Sequence, residues 1–404
     1  MIMRSSLLTL CLISFVGLRS TAQDPVIASI ISSLSIDSMM LYVEQLSGEQ
    51  PIDIGSGPQL IVSRHKDHPG NAMSQAFIEQ KLVQFGYGPQ VQSFSATGKN
   101  VLVTKPGTVN GLHPVLIGAH YDAMPGGVYD APGADDNGSG TAALLEIARI
   151  ISALQFEHPV IMAFWDEEEQ GLVGSAFHAA GLASNDQQLR GVINMDALAY
   201  DGNGDTKARI HSRLIGNSPE IADTVFAVRA NYNIDLDLLL TVPGATYSDH
   251  ASFWNEGYGA VLIIEEFGAD GNPFYHTPND KTEHFDVPYY EKLARLSIGT
   301  LVTLAIPDGP TSIGDLDAHS VELSAYPNPS NSTMNIWFTT NAPERYSMIV
   351  RDAFGKMVHE IHEGMLSGGK HAFALDLSGM AAGGYVISVT SPRSHASLRA
   401  VRLP

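Results

Sequence analysis

Four short apolar runs, Val115–Ala119, Val160–Trp165, Gly191–Met195 and Ala260–Glu265, constrain the fold of this chain more than any other feature. Each is too uniformly apolar to keep one face in water, so each reads as a strand buried on both sides. Between them lie stretches with apolar residues at three- and four-residue spacing. Ser139–Leu154 (SGTAALLEIARIISAL) is the clearest, and Pro219–Ala230 and Tyr289–Ala305 follow. An earlier helix, Ser74–Phe85, is closed by Gly86. Strand–helix alternation of this kind predicts an α/β fold, a mostly parallel, mixed sheet flanked by helices on both faces. In such sheets functional side chains gather on loops at the carboxyl ends of strands.

The ends of the chain differ from this middle. Residues 1–22 carry Arg4, the run LLTLCLISFVGL and then Ser20-Thr21-Ala22, the pattern of a cleaved secretory signal peptide. The apolar part, Leu7–Leu18, is too short to span a bilayer. Cys11 is the only cysteine, so a mature chain from Gln23 has no disulfide, no thiolate metal ligand and no cysteine nucleophile. Residues 23–306 hold the α/β part. Residues 307–320, rich in Pro, Gly, Asp and Ser, read as a linker. Residues 321–404 bring a series of strand-like runs between turn signals: Met334–Thr339, Tyr346–Asp352, Lys356–Ile361, His371–Leu377 and Tyr385–Thr390. That pattern predicts a small antiparallel β-sandwich. With 43 Asp and Glu against 23 Lys and Arg, the net charge of −20 argues against a nucleic-acid partner.

The residue types that carry chemistry stand at the ends of the buried runs. His120 follows one directly, with Asp122 two residues on, and a loop then leads to Asp135-Asp136-Asn137 before a helix. By itself HxD is more often a structural histidine. Asp166-Glu167-Glu168-Glu169 follows the next run, where like charges call for a cation or a proton to relieve them. Asn194-Met195-Asp196 ends a third run, and Tyr275-His276 lies in the loop Phe274–Asp280. Jointly, two histidines and three carboxylates at the strand ends of one sheet fit a pair of divalent ions that share a bridging carboxylate. That arrangement serves hydrolysis.

In order and context, His120-Tyr121-Asp122, GADDNGSG (133–140), EEQGLVGS (168–175), NMD (194–196) and YHTPNDK (275–281) resemble the motifs of the co-catalytic zinc aminopeptidases, metallopeptidase family twenty-eight. The resemblance covers roughly residues 60–305. It implies a zinc-exopeptidase fold and an aminopeptidase that hydrolyses N-terminal peptide bonds. It implies two zinc ions per chain, with cobalt or manganese as substitutes. Asp136 would bridge them, His120 and Asp196 would complete one ion, and Glu169 and His276 the other. Glu168 would be the general base, fixed against its neighbours by the spacing to Gly171. Asp122 would stand behind His120, Tyr275 would serve the developing oxyanion, and a cis peptide would follow Asp136. His250, in the segment SDHASF (248–253), is the rival to His276. Glu167, Asp166 and Asp270 are candidate partners for the substrate's free amine. The loops Asn231–Thr246 and Glu266–Phe274 would shape its side-chain pocket.

The tail has a resemblance of its own. Tyr326-Pro327-Asn328-Pro329, Asp352–Lys356, Leu377–Met380, Gly384-Tyr385 and the basic finish Arg393, Arg399 and Arg402 are similar to the C-terminal sorting domain of the type IX secretion system. That implies the secretion machinery as a partner, passage through the periplasm and outer membrane of a Gram-negative bacterium, and a secreted or surface-held product. A carbohydrate- or adhesion-type β-sandwich is the alternative for this part. For the α/β part, the rival on the same fold is a glutaminyl cyclase-like acyltransferase with one zinc. The rival of another class is a non-catalytic surface binding protein.

Overall fold

A computed structural model describes residues 23–124, 127–268, 270–308, 323–340, 343–352, 357–390 and 395–403. The expected signal segment, residues 309–320 of the expected linker, and residues 353–356 and 393 of the tail motifs lie outside the described residues. The chain divides into two compact units. One is built from residues up to Ile306 apart from Ala153–Gln155, the other from those three and Pro307 onward.

The larger unit starts with helices α1 (Pro25–Ser32) and α2 (Ile36–Leu46), whose first amides are accepted by the side chains of Asp24 and Ser35. A hairpin of β1 (Ile52–Asp53) and β2 (Pro58–Gln59) and helix α3 (Pro69–Gln84) follow. Helix α3 begins five residues before the expected Ser74, because Pro69 suits a first helical position and His68 caps it. Gly86, at φ 90°, ends it as expected.

An eight-stranded sheet forms the centre: β3 (Gln90–Ser93), β4 (Lys99–Lys105), β5 (Val115–His120), β6 (Val160–Trp165), β7 (Gly191–Asp196), β8 (Lys207–His211), β9 (Asp237–Thr241) and β10 (Ala260–Glu265). Their spatial order is β3-β4-β6-β5-β7-β10-β8-β9. The middle four, β6-β5-β7-β10, are mutually parallel, and every residue in them is buried. These are the four apolar runs of the sequence. Strands β4 and β8 join them antiparallel, which makes the sheet mixed.

Helices cover both faces: α4 (Gly140–Ile151), α5 (Val173–Ser184), α6 (Ser218–Asn231), α7 (His250–Asn255) and α8 (Val287–Ala305). On one face Leu116, Ile161, Ala163, Trp165 and Val192 pack with Ala179 and Leu182 of α5 and Phe253 and Trp254 of α7. Side chains alternate along a strand, so the intervening residues point to the other face, where α4 and α8 meet β5. Among the described residues no single helix is long and apolar enough to cross a membrane.

The smaller unit is all β. Strands β11 (Leu323–Tyr326), β12 (Thr333–Thr340) and β15 (Gly369–Asp376) form one antiparallel sheet. Strands β14 (Met357–Leu366), β13 (Glu344–Asp352), β16 (Gly383–Thr390) and β17 (His395–Arg402) form the other. Met334, Ile336, Phe338 and Leu375 from the first sheet share a core with Met348, Val350, Ile387 and Val389 from the second. A core shared by two sheets is the packing of a sandwich.

Candidate metal centre

His120 is the last residue of β5 and Asp196 the last of β7. The two strands pair in parallel, so both residues stand at the carboxyl end of the sheet's central strands. Strand β6, on the other side of β5, ends at Trp165 and delivers the acidic segment there too. That segment is a tight turn rather than the start of a helix. Glu167 and Leu172 adopt φ 57° and 61°, Gly171 sits at φ 104°, and the Gly171 and Leu172 amides return to the Glu168 carbonyl. Helix α5 begins only at Val173. The Asp122 carboxylate accepts the Glu168 and Glu169 amides at 3.1 and 3.3 Å and sets the turn.

Asp136 lies in a kinked turn, Ala134–Ser139, whose backbone leaves helical geometry at Asp136 and Asn137, the two residues joined by a cis peptide. Three side chains hold this turn. Asp280 accepts the Asp135 and Asp136 amides at 2.9 and 3.0 Å. Asn137 donates to the Met195 carbonyl and accepts the Gly140 amide, tying the turn to β7. Arg64, fully buried, donates to the carbonyls of Leu46, Tyr121, Pro132 and Gly133. His276, at φ 55°, is carried on the loop that ends in Asp280, with Tyr275 stacked on its ring at 3.7 Å.

Two groups of candidate ligands result: His120 with Glu168 and Asp196, and Asp136 with Glu169 and His276. Asp136 joins them. Its Oδ1 is 3.4 Å from His120 Nε2 and its Oδ2 is 3.1 Å from His276 Nε2. His120 Nε2 is also 3.4 Å from Asp196 Oδ1, and His276 Nε2 is 2.9 Å from Glu169 Oε2. Despite these neighbours, both imidazole nitrogens are buried without an aligned hydrogen bond among the described residues. Atoms that bind one tetrahedral zinc at about 2.0–2.1 Å stand about 3.3 Å apart, so the residues fit a divalent ion.

The electrostatics agree. Burial opposes charge on His120, but Glu168, Asp196, Asp122 and Asp136 outweigh it and hold its pKa well above the usual value. His276 is likewise held at about 10, against burial, by Asp136 and Glu169. Burial and then Asp136 push Glu169 up to about 7. Burial, with Asp249, Asp196 and Glu169, pushes Glu168 well up although His120 acts the other way. Acids crowded in this way demand positive charge, which a metal ion supplies. Chelation is therefore expected to lower the melting temperature. An ion at about 100 times its Kd contributes about 2.7 kcal/mol, roughly 5–10 °C in a domain of this size. Added zinc should restore it, and a melting curve unmoved by chelator would contradict the assignment.

The centre opens into a cavity of about 570 Å³. Asp136, Glu168, Glu169, Asp196 and His276 are among its polar lining residues, and Leu172, Ile264, Phe267 and Tyr275 among the apolar and aromatic ones.

Residues 100–301, half of the chain, match peptidase family M28. The chain belongs to that family. Membership makes it a peptide hydrolase. Residues 324–401 of this peptidase match a secretion system C-terminal sorting domain, which points to secretion and the cell surface. A probable leucine aminopeptidase of Trichophyton verrucosum is 24% identical over 305 residues, 71% of this chain and 78% of that one. Other fungal leucine aminopeptidases are matched over only 57–62% of their own length. Among solved structures, the LapA aminopeptidase of Legionella pneumophila superposes with a TM-score of 0.61 at 19% identity, over 70% of this chain and 75% of that one. The glutaminyl cyclase of Porphyromonas gingivalis does so with 0.54 at 19%, over 67% and 98%. The fold is thus common to both kinds of protein.

In this M28 peptidase all eight residues singled out from the sequence lie around one centre. His120 Nδ1 meets the backbone carbonyl of Asp122 at 3.2 Å, and the carboxylate stands 3.4 Å away because the turn amides claim it. His250 is buried against Trp254, its ring centroid 4.4 Å from the indole, and takes no part in either ligand group. Asp270 accepts the Gly202 and Asn203 amides. Asp166 is buried and bound to Asn71 and the Lys99 amide. Sequence reasoning missed Arg64, Asp280 and Asn137. Asp280 and Asn137 stand inside quoted motifs, but Arg64 lies in SRHKDH, which carries no such signal.

Proposed function

We propose that this chain is an exported aminopeptidase that holds two zinc ions and cleaves the first peptide bond of substrates with a free N-terminus. One observation carries it: the two oxygens of Asp136 face different histidines. Asp136 would bridge, with His120 and Asp196 on one ion and Glu169 and His276 on the other. Imidazole and carboxylate donors without thiolates suit zinc, with cobalt or manganese as substitutes. Bound at this site, zinc polarises a carbonyl and lowers the pKa of water.

The chain's own groups supply the rest. Glu168 lines the cavity, its Oε2 3.9 Å from His120 Nε2, farther than either Asp136 or Asp196 comes. It takes a proton from the attacking water and returns it to the leaving amine. Asp122 holds Glu168 through its amide and backs His120. Tyr275, beside His276 on the cavity wall, donates to the developing oxyanion. The acidic lining residues receive the substrate's ammonium group, and the apolar ones receive an apolar first side chain. The tail addresses the protein to type IX machinery, across the periplasm and outer membrane of a Gram-negative cell, and is removed afterwards.

The test is hydrolysis of aminoacyl-anilides beside elemental analysis. Two equivalents of zinc are expected. Leucyl- and phenylalanyl-anilide should exceed glycyl- and glutamyl-anilide by at least about tenfold in kcat/KM, and N-acetyl-leucyl-anilide should stay intact. A protein with one metal that cleaves no anilide but cyclises N-terminal glutamine would be an acyltransferase on the same fold.

A further inference from the structure

The segment 245–250 contributes Thr246 and Tyr247 to the cavity wall and has no part in the reading above. Its hydrogen bonds run in one direction. The Ala245 amide donates to His211 Nδ1 at 3.0 Å. A ring nitrogen that accepts carries no proton, so a neutral His211 is protonated at Nε2. Neutrality is secured by burial, with Arg209 adding to it, which together pull the His211 pKa down to about 4. His211 Nε2 lies 3.2 Å from the Tyr247 hydroxyl and must be the donor there. The Ala245 carbonyl in turn accepts from His250 Nε2 at 2.9 Å. The relay therefore reads Ala245 amide, His211, Tyr247, with each member donating to the next, while His250 separately holds the following peptide group through the Ala245 carbonyl. Bonds in such a series polarise one another.

Tyr247 lines the cavity, its oxygen takes up the His211 donor, and among the described residues its own proton has no acceptor. We propose that Tyr247 donates a hydrogen bond to a carbonyl oxygen of the bound peptide, with His211 and the Ala245 peptide fixing its direction. A substrate ammonium group has no lone pair to accept this proton, whereas a backbone carbonyl has two. The ring is held in place: it packs 6.2 Å from Phe267, which meets Tyr275 edge-on at 5.0 Å. Tyr247 is thus a substrate-binding residue, and His211 is a positioning residue. The inference rests on the peptidase reading for the identity of the ligand.

Three variants test it: Tyr247→Phe, His211→Gln and His211→Glu. Glutamine offers an oxygen to Ala245 and an N–H to Tyr247, as the imidazole does. A carboxylate accepts on both sides and would draw the Tyr247 proton away from the cavity. With leucine-containing peptide amides, Tyr247→Phe and His211→Glu should each lose about tenfold in kcat/KM. His211→Gln should stay within about twofold. The same order is expected for peptide affinity, measured calorimetrically in a Glu168→Gln background. An unchanged Tyr247→Phe, or equal losses in both His211 variants, would overturn the assignment. So would two-bond nitrogen–proton correlations that place the His211 proton on Nδ1. Peptide that binds in this order but is never hydrolysed by the wild type would overturn the peptidase reading and support the donor.

Discussion

Glu168→Gln is expected to lower kcat by about 10²–10⁴-fold, the usual worth of a positioned acid–base group, with zinc content unchanged. The amide has nearly the same shape and keeps the backbone hydrogen bond to Asp122, so the acidic turn stays in place. What is lost is a basic oxygen in a buried site where burial, first of all, keeps the proton affinity of Glu168 high. Elemental analysis and melting curves beside the kinetics decide the matter. If zinc falls from two equivalents to one, Glu168 is a ligand, as its inclusion with His120 and Asp196 would allow. If activity persists at the wild-type level, neither role survives.

The second large effect is expected at Arg64. Its guanidinium is buried and bonded to four backbone carbonyls, two of them, Pro132 and Gly133, at the entry to the turn that carries Asp136. Burial lowers its pKa to about 10, and Asp280, Asp122 and Asp136 act against that, so it remains charged at neutral pH. Arg64→Met preserves length but strands the carbonyls and removes a cation from beneath an acidic centre. Costs of about 3–5 kcal/mol are typical for breaking such a buried charged network, which for this size is a fall of about 10 °C in melting temperature. Affinity for zinc should fall with it, since Asp136 loses its support. Arg64→Lys should recover only part, because three donors cannot serve four carbonyls. A methionine variant that melts within about 2 °C of the wild type would refute this account.

Much of the fold was legible because the middle of the sheet is buried on both faces. Val160–Trp165 and Ala260–Glu265 needed no alternation to be read as strands, and the structure reproduces both. The flanks carry no such signal. Strand β3 is QVQS and β8 is KARIH, each mostly polar because an edge or near-edge strand meets solvent. Strands β11 and β17 of the tail escaped for the same reason of composition. The centre was legible because its side chains follow the buried runs directly. The shape of the acidic turn was not legible, since nothing in Glu167-Glu168-Glu169 announces positive φ at Glu167 and Leu172. Arg64 was invisible because its partners are carbonyls, which every residue has. His211, likewise, becomes significant only when its neighbours fix which nitrogen holds the proton.

The core of the smaller unit draws every described member from residues 323–400. A sorting domain thus brings its own apolar interior with it. Fusing its coding sequence to another gene would carry that apolar interior with it. Delivery and chemistry can therefore evolve on separate schedules within one reading frame.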